Sequence, residues 1–153
     1  MNVLIFLAIL AVCCLYALVR GGPPERLGAA ALIAAVVASH FVPASGPIRF
    51  QTIEYGTMAV DMTLLAVIVF IAVRAQRFWP MWMAAILLDT VLTHLLMLSP
   101  KLIPWSYSVM NAAWGYPLPI IIAVGTWRHQ MRKRSHGDDP AWNRQLISKD
   151  FYD

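Results

Sequence analysis

The chain has 153 residues, 59% of them hydrophobic and only 13% charged, with a mean hydropathy of +0.63. Soluble domains run at about 45 to 50% apolar and about 25% charged, so an ordinary soluble globule is excluded; disorder, which needs low hydrophobicity and high net charge, is excluded too. The formal net charge of +4 sits in the segments between apolar stretches and reads as a topology signal. Nucleic acid is not an expected partner, because no soluble portion is large enough to present basic residues interleaved with aromatic ones.

In chain order, the first uncharged stretch ends at Arg20 and gives an expected span over 2–19. Its start, Met1-Asn2, lacks Lys and Arg, and its apolar run exceeds the roughly 7 to 15 residues of a secretory signal, so a retained helix is expected. Leu10-Ala11-Val12-Cys13 does not suit a lipoprotein signal, since Val12 is not small. Cys13 and Cys14 are the only cysteines. They lack the spacing of a zinc site and read as small packing residues.

Gly21-Gly22-Pro23-Pro24-Glu25-Arg26 reads as a turn with both prolines outside the next helix. A second span over 27–43 is cut short by Pro43 and by Ala44-Ser45-Gly46-Pro47. A third, 54–73, is interrupted only by Asp61, and a fourth, 79–98, only by Asp89. The short connection at 75–78 makes these two an antiparallel hairpin. The fifth, 105–126, contains Pro117 and Pro119, whose missing donors kink or break the helix. Each stretch approaches the roughly 20 residues needed to cross a hydrocarbon core of about 30 Å. The spans must be helices, because so short a chain without dyad alternation cannot close a barrel. The expected fold is therefore all-α, a five-helix transmembrane domain at 1–127 followed by a tail at 128–153.

Basic residues accumulate on the cytoplasmic side of short loops. Arg20 and Arg26, Arg74 and Arg77, and Arg128, Arg132, Lys133 and Arg134 fall on one side, whereas the other has Arg49 and Lys101. This places the N-terminus outside and the C-terminus in the cytoplasm. Trp79, Trp82 and Trp127 fit an inner aromatic belt, and Phe50, Tyr55, Trp105 and Tyr107 an outer one. The basic run at 128–134 is suited to lipid headgroups. Beyond it, Asp138-Asp139-Pro140 reads as a helix start, and the short amphipathic segment from Ala141 is expected to dock on lipid or on another protein.

Polar side chains within the spans concentrate toward the outer side. They are His40, Glu54, Thr57, Asp61, Asp89, Thr90, His94 and Asn111. Because such groups are costly in lipid, they face a partner or a wet cavity. One reading makes them internal hydrogen-bonding glue between helices. A second makes them an outward-opening pocket for a proton, a cation or a small solute, with Asp61 and Asp89 as the charge and His94 as the titratable group. A third uses His40, His94, Asp61 and Glu54 as metal ligands, although the chain has no His-Glu-x-x-His and no Gly-x-Ser-x-Gly. No cofactor is implied. The absence of a repeat, of a soluble domain and of a catalytic motif favours a non-enzymatic inner-membrane subunit or accessory protein, forming a homo-oligomer or part of a larger membrane complex in the bilayer. The alternative is the binding or transport element.

Overall fold

The computed structural model describes residues 3–41, 55–96, 115–137 and 142. Among them are five helices and no strand: α1 (Val3–Arg20), α2 (Pro23–Phe41), α3 (Tyr55–Arg74), α4 (Trp79–Leu96) and α5 (Pro117–His136). Glu54, Asn111, the first part of the expected fifth span and most of the segment from Ala141 lie outside the described residues.

Among the described residues, two helical stretches, Val3–Arg20 and Gly56–Arg74, are long and apolar enough to cross a membrane. α2 carries Pro23, Pro24, Glu25 and Arg26 in its first turn, and α5 carries its basic run in its second half, which lowers the apolar character of both.

The start of α2 departs from expectation. Pro23 and Pro24 lie inside the helix rather than before it. The first turn has no intrahelical donors to lose, so two prolines fit there and their fixed φ pre-forms the turn. The first four residues of α2 therefore come from what composition marks as a turn, and Glu25 becomes a helical residue near the positive end of the macrodipole. α1 ends as the chain passes Gly21, whose N–H donates to the Ala17 carbonyl at 2.8 Å. Carbonyls just beyond take Arg26 Nε, which donates to Gly21 O at 3.0 Å, and Gln130 Nε2, which donates to Arg20 O. Orphan acceptors at this helix end are thus satisfied by α2 and α5.

α5 begins at Pro117 after a break at Tyr116 and runs without interruption to His136. The expected boundary at 127/128 falls inside this helix. Gly137 stops it at φ 75°, a backbone conformation that suits glycine, with its N–H donating to Lys133 O at 3.1 Å.

α3 packs along α4 as an antiparallel hairpin, α2 lies against both α1 and α3, and α5 closes the bundle against α1, α4 and α2. The core contains Leu64, Ile68 and Ile71 of α3, Met83 and Leu87 of α4, and Leu118 and Ile122 of α5. Cys14 of α1, read as a small packing residue, is buried in the same core together with Ala17, while Cys13 is half-buried. The outer surface is strongly apolar, with Leu4 and Phe41 each 78% exposed. Trp142 is the one described residue of the distal tail. It pairs as an isolated bridge with Ala75, between α3 and α4, and packs partly buried against the core.

Candidate functional site

Polar groups gather at two places. The first lies where the α1–α2 and α3–α4 connections meet α5. Glu25 is fully buried, and its Oε1 accepts from Arg77 Nε at 3.2 Å and from Trp79 Nε1 at 3.1 Å. Arg77 Nη2 reaches His129 Nδ1 at 3.5 Å, a contact in which the guanidinium can only donate. Glu25 Oε2 is buried and finds no hydrogen-bond partner among the described residues.

The Trp79 indole that reaches this carboxylate passes between two helices stripped of side chains. A Cβ at Gly28 of α2 would lie 2.6 Å from Trp79 Cη2, and one at Gly125 of α5 would lie 2.6 Å from Trp79 Cδ1. At Gly22 a Cβ would stand 3.0 Å from Glu25 Oε2 and 3.2 Å from His129 Cε1. Three glycines therefore make room for one ring and one carboxylate. Trp79, expected in an inner aromatic belt, is buried among helices, whereas Trp82 and Trp127 are exposed. With side-chain exposures of 3% and 0%, the Arg77–Glu25 pair is desolvated; such a pair adds little net stability over an apolar one, but losing either partner leaves a buried charge.

Sequence reasoning missed this centre because it treated Glu25, Arg77 and His129 as loop or tail residues. One signal was present. Glu25 is the single acidic residue among the short basic segments that precede the tail, and it is followed by a glycine in the first turns of an otherwise apolar helix.

The second place is the expected cluster on α3 and α4. His94 Nε2 lies 3.0 Å from Asp61 Oδ2, with His94 buried and the Asp61 side chain 24% exposed. Asp89 is not in that pair, and its Oδ2 is buried with no partner among the described residues. Threonines nearby bond within their own helices: Thr90 Oγ1 donates to Ile86 O at 3.1 Å and Thr93 Oγ1 to Asp89 O at 2.7 Å. Among the described residues, these two hydroxyl protons are thus spent within α4. Thr57 is half-buried on α3. His40 is exposed on the last turn of α2, its ring edge-on to Phe41 at 6.0 Å, apart from the buried His94.

Chemically, a carboxylate–imidazole pair can bind and pass on a proton, or hold a small cation with a neighbouring acid. A metal centre finds no support among the described residues, where no three His, Cys, Asp or Glu side chains converge. Pro117 and Pro119 stand in the first turn of α5, where Pro119 is buried and neither removes an intrahelical bond. Arg128, Lys133 and Arg134 are exposed on α5 and Arg132 is half-buried. No family model, no curated protein and no solved structure matches the chain, so the chemistry of these two centres rests on their own geometry.

Proposed function

We propose that the chain is a five-span protein of a bacterial-type inner membrane, N-terminus outside and C-terminus in the cytoplasm, acting as a small non-enzymatic subunit or accessory protein that packs against other membrane helices. The observation that carries this reading is an open groove of about 380 Å³ between α2 and α3, lined by Ala31, Ala34, Ala35, Ala38, Ala59 and Val60 among others. In lipid, helices gain no hydrophobic force by associating and rely on close packing, which short side chains permit. The groove suits a further helix, from a second copy or from another membrane protein. The extensively exposed apolar surface of α1 and α3 supports the same placement in a bilayer, since only 17% of each apolar window is buried within the chain.

The experiment is native mass measurement of the protein extracted in mild detergent, with Ala34→Trp and Ala38→Trp alongside. Defined assemblies that lose their extra mass in both variants, while the bundle keeps its unfolding temperature, are the expected result. A monomer at every concentration and in lipid nanodiscs overturns the reading.

The Asp61–His94 pair favours a second reading, an outward-open binding or transport element for a proton or small cation. A titratable pair within a membrane is costly and is commonly functional. Proteoliposomes carrying the protein should then take up protons or a monovalent cation under an imposed gradient, and Asp61→Asn should abolish uptake without loss of folded protein. Uptake unchanged in Asp61→Asn and His94→Gln removes this alternative.

A further inference from the structure

We infer that the groove between α1 and α5 holds one anionic phospholipid, its phosphate between Arg20 and Arg134 and its acyl region beside Tyr16 and Trp127. The inference rests on the membrane placement proposed above. The groove encloses about 350 Å³ and is lined by Tyr16 and Arg20 of α1 and by Trp127, Gln130, Met131 and Arg134 of α5. Spacings of three and four residues set each group on one stripe of its own helix. The two stripes run side by side in the same direction. Phe6 meets Tyr116 edge to face at 5.7 Å and Gln130 donates to the Arg20 carbonyl, contacts separated in sequence by the same 110 residues. Tyr16 therefore comes about level with Trp127 and Arg20 with Gln130, and Arg134 follows roughly one turn later, so the groove grades from aromatic to cationic. Rings with an apolar body and a polar tip favour such a boundary between acyl chains and headgroups.

Charge complementarity decides the headgroup. No acidic residue lines the groove. Among the described residues, the exposed guanidinium groups of Arg20 and Arg134 make no hydrogen bond or ion pair, and neither does the Tyr16 hydroxyl. Carbonyls at the end of α1 are already met: Ala17 O takes the Gly21 N–H, Arg20 O the Gln130 amide and Gly21 O the Arg26 Nε. Two unanswered guanidinium groups suit a phosphate, because their donors match its oxygens two at a time. A headgroup that adds an ammonium finds no acid in the groove to meet it. The apolar part decides that the phosphate belongs to a lipid. Trp127 and Met131 of the lining are 55% and 50% exposed, and Val12, one turn from Tyr16 on the same stripe of α1, is 69% exposed. An inorganic anion would leave this surface bare, whereas an acyl chain covers it.

The test compares retained lipid by native mass measurement of full-length protein in detergent supplemented with phosphatidylglycerol or phosphatidylcholine. One phosphatidylglycerol per chain is expected to be retained in preference to phosphatidylcholine. Arg20→Gln with Arg134→Gln should weaken retention by about fivefold for each charge removed. Arg128→Gln with Lys133→Gln removes the same charge from exposed positions outside the groove and should leave retention within about twofold of the parent. Met131→Trp, at an exposed position, fills the groove without changing charge and should also displace the lipid, with an unchanged unfolding temperature attesting the fold. Equal loss in the two charge pairs, equal retention of both lipids, or retention unaffected by Met131→Trp each overturns the site. Stabilisation by inorganic phosphate equal to that by phosphatidylglycerol overturns the lipid assignment. Release of the chain from membranes by alkaline carbonate, read separately from lipid retention, overturns the membrane placement itself.

Discussion

Glu25 carries no charge partner on its own helix; its nearest donors, Arg77 and Trp79, lie more than fifty residues away in sequence. Burial of both charges means that removing one is worse than removing both. Glu25→Leu or Arg77→Met alone should destabilise the bundle by about 3 to 5 kcal/mol, and the double replacement should cost less than either. Unfolding in mild detergent measures this, and additive losses would show that the two side chains do not meet. The same centre predicts the behaviour of its glycines. Gly28→Ala and Gly125→Ala each drive a methyl into the Trp79 ring, held from both sides, at an overpacking cost of about 1 to 3 kcal/mol. The gain of about 1 kcal/mol in helix propensity does not offset it at the upper end. Gly115→Ala is the control, since its nearest foreign atom, Phe6 Cε2, is at an ordinary 3.6 Å.

The elements differ in how far the sequence exposes them. α1, α3 and α4 begin and end within a residue or two of where uncharged stretches and flanking arginines put them, because a long apolar run has one reading. α2 begins four residues early, since a Pro-Pro pair suits both a turn and a helix's first turn, and tertiary bonds to Glu25 decide between them. α5 is the larger departure. Charge density separates 105–126 from the tail, but backbone hydrogen bonding has no stake in that division and the helix continues through it to His136. Of the two polar centres, the pair on α3 and α4 is legible because charged residues stand out against apolar neighbours. The Glu25 centre is hidden among loop charges, which are ordinarily solvated. Helix continuity has its own test. Arg128→Pro leaves an exposed position but removes an interior helical bond and clashes with the preceding turn, so it should cost about 3 kcal/mol. A hinge at 127/128 would tolerate it with no change in unfolding temperature.

For the whole molecule, the exposed apolar surface and the distribution of basic residues both suit the bilayer arrangement proposed above. A reporter active only in the cytoplasm, joined after Asp153 or inserted near Gln76, should be active in both places and silent near Gly46. Activity near Gly46 with silence at Asp153 would reverse the orientation. In the proposed orientation the Glu25–Arg77 centre would lie at the cytoplasmic end and Asp61 with His94 toward the opposite surface. The two centres share no residue, and stability changes at Glu25 should therefore leave the Asp61–His94 geometry in place. The effects of Glu25→Leu and Asp61→Asn on unfolding should add, as expected for independent sites, within about 0.5 kcal/mol.

The seat of Trp79 also dictates an order of biosynthesis. Its two bare walls, Gly28 and Gly125, leave the ribosome almost a hundred residues apart, with the ring itself emerging midway between them. A nascent chain that has released α1 to α4 carries a tryptophan with one wall missing and an Arg77 whose histidine neighbour has yet to be translated. The bundle therefore cannot close this end until the last helix arrives. A ribosome stalled before Gly125 holds an unfinished chain with that end open.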